Sequence, residues 1–164
     1  MLKCSNYFTI KLAGKVSGYL RFRVRMFPES PSGCSGIRTV DAYHYFGDTA
    51  EMLPSLIPFV KKEGHIAVAV PGLKYEFGEN VPGEMQPFWN SEMERTLHSL
   101  DWWKDLWKNT EDIEMVDIRE MSCCGQAWKE WLTSDHPIAA EDIKMMEAED
   151  GKYFNIIQLI AKVI

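Results

Sequence analysis

The chain has 164 residues, a net charge of −6, and 46% apolar and 26% charged residues, which is the make-up of one ordinary globular domain and excludes a disordered or fibrous chain. Its longest apolar stretches, 66–70 and 156–164, the second broken by Gln158 and Lys162, fall far short of the roughly 20 residues that cross a bilayer. The N-terminus also lacks the unbroken apolar stretch of a secretory signal, so the expected location is the cytoplasm, with no membrane partner.

The charge is unevenly placed. Residues 1–38 hold seven Lys or Arg against one acid, whereas residues 39–164 hold eleven against twenty-three. The basic part reads as strands over 6–12 and 18–27, joined by a hairpin through Gly14 to Gly18. In the second strand Arg21, Arg23 and Arg25 alternate with Leu20, Phe22, Val24 and Met26, the period of a half-buried strand. Such an arginine row is more often a solvated face than a phosphate contact, and the acidic remainder argues against nucleic acid. Two prolines and two glycines over 28–36 then read as a loop.

A short strand over 39–46 follows, rich in aromatic and β-branched residues and closed by Gly47. A helix over 49–62 is expected next, kinked by Pro54 and Pro58, with Lys61, Lys62 and Gly64 as its C-terminal signal. The run 65–70 is apolar on both faces, as in a strand buried inside a parallel sheet. Strand, helix and buried strand make a β-α-β unit. After the long aromatic segment 71–89, Ser99 caps a helix to about 109 whose face is Leu100, Trp103, Leu106 and Trp107. A strand over 112–120, a short helix through Trp128, Trp131 and Leu132, and a helix over 137–149 opened by Pro137 complete the order. The last strand, 153–164, is apolar on both faces and belongs inside the sheet. Cys4, Cys34, Cys123 and Cys124 have no metal-ligand spacing and read as free thiols, with a vicinal 123–124 disulfide as the alternative. No metal site is expected.

The segments VDAYHYFG (40–47), GHIAVAVPGLKYEF (64–77), HSLDWWKDLW (98–107) and GKYFNII (151–157), in this order, resemble class I S-adenosylmethionine (SAM)-dependent methyltransferases of the small-molecule, type 11-like kind. The resemblance covers about 39–164, the C-terminal half of that domain. It implies an α/β, Rossmann-like three-layer sandwich, incomplete here, with an antiparallel last strand inserted in the sheet. It also implies SAM as cofactor, a small-molecule methyl acceptor, Asp41 and Ala42 along the methionine part of SAM, and Tyr43, His44 and Tyr45 facing the acceptor.

That family holds SAM chiefly through a glycine-rich G-x-G-x-G turn in its N-terminal half, and this sequence contains none. Residues 1–38 are therefore expected to be a basic hairpin and linker foreign to the family. Two readings stand: a methyltransferase, or a truncated, non-catalytic remnant or binding module without the cofactor half. A homodimer through the sheet edge beside strand 39–46 is a further expectation.

Within the matched part, His44 is the candidate base, because an unperturbed imidazole titrates near neutrality, and Tyr43 stands beside it as the second candidate catalytic residue. The alternative is that His44 only hydrogen-bonds in the turn while the tyrosines pack. Tyr45, Phe46, Tyr75, Phe88 and Trp89 are the candidate acceptor contacts, the last three on an aromatic lid arching over the crevice; the alternative, slightly favoured, is that they pack beneath a long loop. Trp102, Trp103, Trp107, Trp128 and Trp131 are expected in the core. The pairs Glu111–Asp112 and Glu141–Asp142 are expected as helix-terminal or surface charge.

Overall fold

A computed structural model describes residues 34–164 and the backbone of 25–28. The expected strand over 6–12, the hairpin through Gly14 to Gly18 and the positions of Arg21 and Arg23 lie outside the described residues.

The described residues build a five-stranded sheet. In chain order its strands are β1 (Arg25–Pro28), β2 (Cys34–Val40), β3 (Val60–Leu73), β4 (Ile113–Glu120) and β5 (Phe154–Val163), and in space they run β1-β2-β3-β5-β4. β2 and β3 are parallel, with Ile37 beside Ile66 and Thr39 beside Val68. β5 enters antiparallel between β3 and β4, as its two apolar faces require. β1 pairs antiparallel along the outer edge of β2, so over these residues that edge is occupied. The helices are α1 (Met52–Leu56), α2 (Ser91–Thr96), α3 (Leu100–Lys108), α4 (Cys124–Leu132) and α5 (Pro137–Glu149).

Three local expectations are corrected. The strand expected over 39–46 lies at Cys34–Val40, so the division at 38/39 falls inside β2, and Tyr43–Tyr45 forms a 3-10 turn. Asp41 ends the strand by taking a left-handed backbone, φ 50°, a conformation that aspartate tolerates better than most residues. The strand begins earlier than its loop-like sequence suggests because Gly36 serves a close approach. A Cβ there would stand 2.9 Å from the His65 carbonyl oxygen.

The helix expected over 49–62 is shorter. Pro58 lacks the N–H that an α-turn needs, the chain tightens to a 3-10 turn over Ile57–Phe59, and Val60 already starts β3. Lys61, Lys62 and Gly64 therefore belong to a strand, where the register jumps from Cys34 opposite Val60 to Gly36 opposite His65. By contrast α3 forms where its face predicts, with the Ser99 hydroxyl accepting from the Trp102 N–H at 3.3 Å.

One sheet face is sealed. Ile37, Ile66, Val68, Val70, Ile157, Leu159 and Ala161 pack against α1 and α3, and Trp103 and Trp107 are fully buried among them. The opposite face carries smaller side chains, Ala67 and Ala69 on β3, which are only half-buried. A second cluster, Leu73, Phe77, Met85, Tyr153 and Phe154, gathers Trp128, Met145 and Met146 from α4 and α5. The buried Glu149 ties α5 to β5: its carboxylate accepts from the backbone N–H groups of Gly151 and Tyr153 at 2.6 Å and of Phe154 at 2.7 Å. Cys34, Cys123 and Cys124 are free thiols. No helix among the described residues is long and apolar enough to cross a membrane.

Candidate functional site

The side chains on β3 explain where space is left. Beyond Ala69 the strand continues through Pro71 and Gly72, and among the described residues no large side chain fills the region between the sheet and α2, α4 and α5. A cleft of about 750 Å³ results, at the carboxyl ends of the parallel strands β2 and β3 and the amino end of β5. Ligands of open α/β sheets bind at such a carboxyl-end crevice. The cleft's floor is Val40, Asp41, Ala69, Pro71, Gly72, Phe154 and Ile156, and its helical wall includes Glu92, Met93, Trp128, Trp131, Glu141, Asp142 and Met145.

Of the candidate residues read from the sequence, the cleft brings together Asp41, His44, Tyr45 and Phe88. Ala42, Tyr43, Phe46, Tyr75 and Trp89 do not line it. Tyr43 is 1% exposed, its ring 5.8 Å from Trp103 and from Trp107 and 5.6 Å from Phe46. It is a core residue whose hydroxyl meets no hydrogen-bond partner of good geometry, its polar neighbour being the equally unpartnered Trp107 indole. Burial drives its ionisation far above the usual phenol range, so it takes no proton from an acceptor.

Of the two readings of 71–89, a lid or packing beneath a long loop, the structure shows the packing. Phe77 and Trp89 rings stand 4.8 Å apart, with Tyr153 5.5 Å from Phe77, and of the segment's aromatic residues only Phe88 reaches the cleft. Tyr75 is half exposed at the rim of this cluster.

His44 is 3% exposed and its Nδ1 has no hydrogen-bond partner. Burial first, then the nearby Arg95 guanidinium, push its pKa down to about 4. The imidazole is thus neutral at physiological pH and a much weaker base than an ordinary histidine. Its ring lies 4.0 Å from that of Tyr45. Arg95 itself is engaged, with Asp48 at 3.0 Å and the Tyr45 carbonyl at 3.4 Å.

Asp41 faces the cleft, and lost hydration raises its carboxyl above the usual range. Its own N–H donates to the Ala69 carbonyl at 2.9 Å, which fixes the left-handed turn at the strand end. The Tyr45 hydroxyl is likewise raised, by desolvation and then by the charges of Asp41, Glu92 and Asp142. Carboxylates from three separate elements therefore converge on one phenol. Trp131 and Asp142 are joined directly, the indole Nε1–H donating to Oδ2 at 2.8 Å.

The residues that sequence reasoning missed are these helical ones. Trp128 and Trp131 stand three positions apart and share a helix face, which was legible, but that face meets a cleft as well as a core. On α5 Asp142 and Met145 have the same spacing, and Glu141 stands four positions before Met145.

No family model matches the sequence, and no curated protein resembles it closely enough to count. Solved structures do share its fold. A putative sarcosine dimethylglycine methyltransferase from Galdieria sulphuraria superposes with a TM-score of 0.58 at 12% identity, over 82% of this chain and 55% of that one. The fold is that of the class I SAM-dependent methyltransferases. Geranyl diphosphate C-methyltransferase from Streptomyces coelicolor A3(2), crystallised with Mg2+, geranyl diphosphate and S-adenosylhomocysteine (SAH), matches this methyltransferase fold with a TM-score of 0.56 at 14% identity, over 83% and 50% of the two chains. Coclaurine N-methyltransferase, bound to N-methylheliamine and SAH, matches with 0.54 at 10% identity, over 82% and 50%. The chain spans about half the length of these methyltransferases.

Proposed function

We propose that this chain forms the acceptor side of a SAM-dependent methyl-transfer site for a small molecule, with the cleft at the ends of β2 and β3 as the place of reaction. The observation that carries this reading is the position of that cleft, at the carboxyl ends of parallel strands in a fold shared with SAM- and SAH-bound methyltransferases. The donor set suits such a cofactor: carboxylates and aromatic faces line the cleft, and among the described residues no Lys or Arg does. In this reading Asp41 borders the methionine part of SAM, while Ala42, which does not line the cleft, has no part in holding it. When bound, SAM supplies an electrophilic methyl carbon for direct displacement.

The chain's own residues then have modest tasks, since displacement from a sulfonium needs alignment more than acid–base work. His44, neutral and nearly buried, holds an acceptor by hydrogen bonding instead of drawing off its proton. Tyr45 stays protonated and serves as a donor at the rim. Phe88, Trp128 and Phe154 contribute apolar surface that keeps water from the acceptor.

A second reading is favoured by one observation, the lack of a G-x-G-x-G turn anywhere in the sequence: a non-catalytic binding module that keeps the acceptor cleft without a methyl donor. Calorimetric titration with SAM and with SAH separates the two. Micromolar binding supports the enzyme; no heat and no thermal shift overturn it in favour of the module.

A further inference from the structure

The neighbouring structures take both a diphosphate and an amine, so the fold does not choose the acceptor's charge. The cleft's chemistry does. The cleft is lined by four carboxylates, Asp41, Glu92, Glu141 and Asp142, and among the described residues no Lys or Arg side chain lines it. None of the four is in an ion pair with another described residue. The guanidinium of Arg95, beside His44, is spent on Asp48.

Removing Asp41, which borders the cofactor in the reading above, leaves three carboxylates on α2 and α5. These face aromatic rings from Tyr45, Phe88, Trp128 and Trp131. Negative ring faces and carboxylates attract the same thing, a positive nitrogen, and reject a phosphate or carboxylate group. The Trp131 indole N–H, bound to Asp142 Oδ2, holds the ring beside that charge and leaves the second carboxylate oxygen open. His44 adds a polar group that is nine-tenths buried on the wall with its Nδ1 unpartnered.

We infer that the molecule taken up against α2, α4 and α5 is an organic cation, an arylalkyl amine bound as its ammonium ion, held by Glu92, Glu141 and Asp142 and stacked on Trp128 and Trp131; where that nitrogen is the methyl acceptor, its N–H proton passes to one of these carboxylates to free the lone pair. This rests on the cleft being the acceptor side of a methyl-transfer site. It sharpens that reading by excluding diphosphate and carboxylate acceptors.

The test titrates the full chain with benzyltrimethylammonium, benzyl alcohol and phenylacetate, with and without saturating SAH, by calorimetry and tryptophan fluorescence. The expected result is that the ammonium binds at least tenfold more tightly than the other two probes, and equally well when SAH is present. In Glu141→Gln/Asp142→Asn the ammonium should weaken at least tenfold while SAH affinity holds. Glu141→Gln alone changes an exposed side chain without touching the core, and should weaken it about threefold. Equal binding of phenylacetate overturns the inference. So does loss of the ammonium when SAH is added, which would assign the carboxylates to the cofactor. A charge preference that persists in a chain binding no SAH supports the cation site and sinks the methyl-transfer reading; SAH binding without a charge preference does the reverse.

Discussion

The two faces of the sheet are built from the same strands and lead opposite lives. On one side Ile66, Val68 and Val70 meet Trp103 and Trp107 and leave no room; on the other, Ala67 and Ala69 alternate with them along β3 and the helices stand off to leave a cleft. A single strand thus spends its large residues on cohesion and its small ones on access. Side-chain volume at alternating positions, not strand pairing, decides which face can hold a ligand.

The largest test of this contrast is Trp103→Ala on the sealed side. Removing a fully buried indole should cost about 3–5 kcal/mol, read as a lower urea midpoint. Next comes acid. His44 titrates near 6.5 when unfolded and near 4 when folded, so the unfolded chain takes the proton first. Stability from this group is whole above about pH 6.5 and is lost as pH falls towards 4, by about 3 kcal/mol in all. His44→Phe should flatten that part of the stability profile.

Glu149→Gln should cost about 2 kcal/mol, because an amide cannot accept from three backbone N–H groups as the carboxylate does. Differential scanning calorimetry reads it. The smallest stability effect belongs to the open face: Ala69→Leu fills cleft space instead of core, so it should shift unfolding by less than about 1 kcal/mol. The same variant should abolish binding of cleft ligands in a fluorescence titration. A large stability loss there would mean that the two faces are equally tight.

The sequence reveals the layered fold because its signals are periodic. The two-sided apolar run at 154–163 demands an interior strand, and the Ser99 cap with Trp103 and Trp107 on one face demands an amphipathic helix. It misleads where one residue has two uses. Gly36 looks like a loop breaker but permits backbone contact inside β2, and Pro58 cuts short a helix that its apolar spacing suggests.

The candidate site was half legible. Asp41, His44 and Tyr45 follow from their place at a strand end. Tyr43 sits among them in sequence yet turns into the core, because successive residues of a 3-10 turn point in different directions. Trp128, Trp131 and Asp142 could not be assigned to a cleft, since an apolar helix face reads alike whether it meets side chains or an opening.

The order β3-β5-β4 has a consequence for how the molecule comes into being. β4 cannot dock on β3, because the place between them belongs to a strand that emerges from the ribosome some thirty residues later. Until β5 is synthesised, two partly formed edges wait with unpaired amides, a state exposed to capture by other nascent chains. The central strand closes the gap as a keystone closes an arch, so a chain halted before residue 154 should depend on a chaperone to stay dispersed.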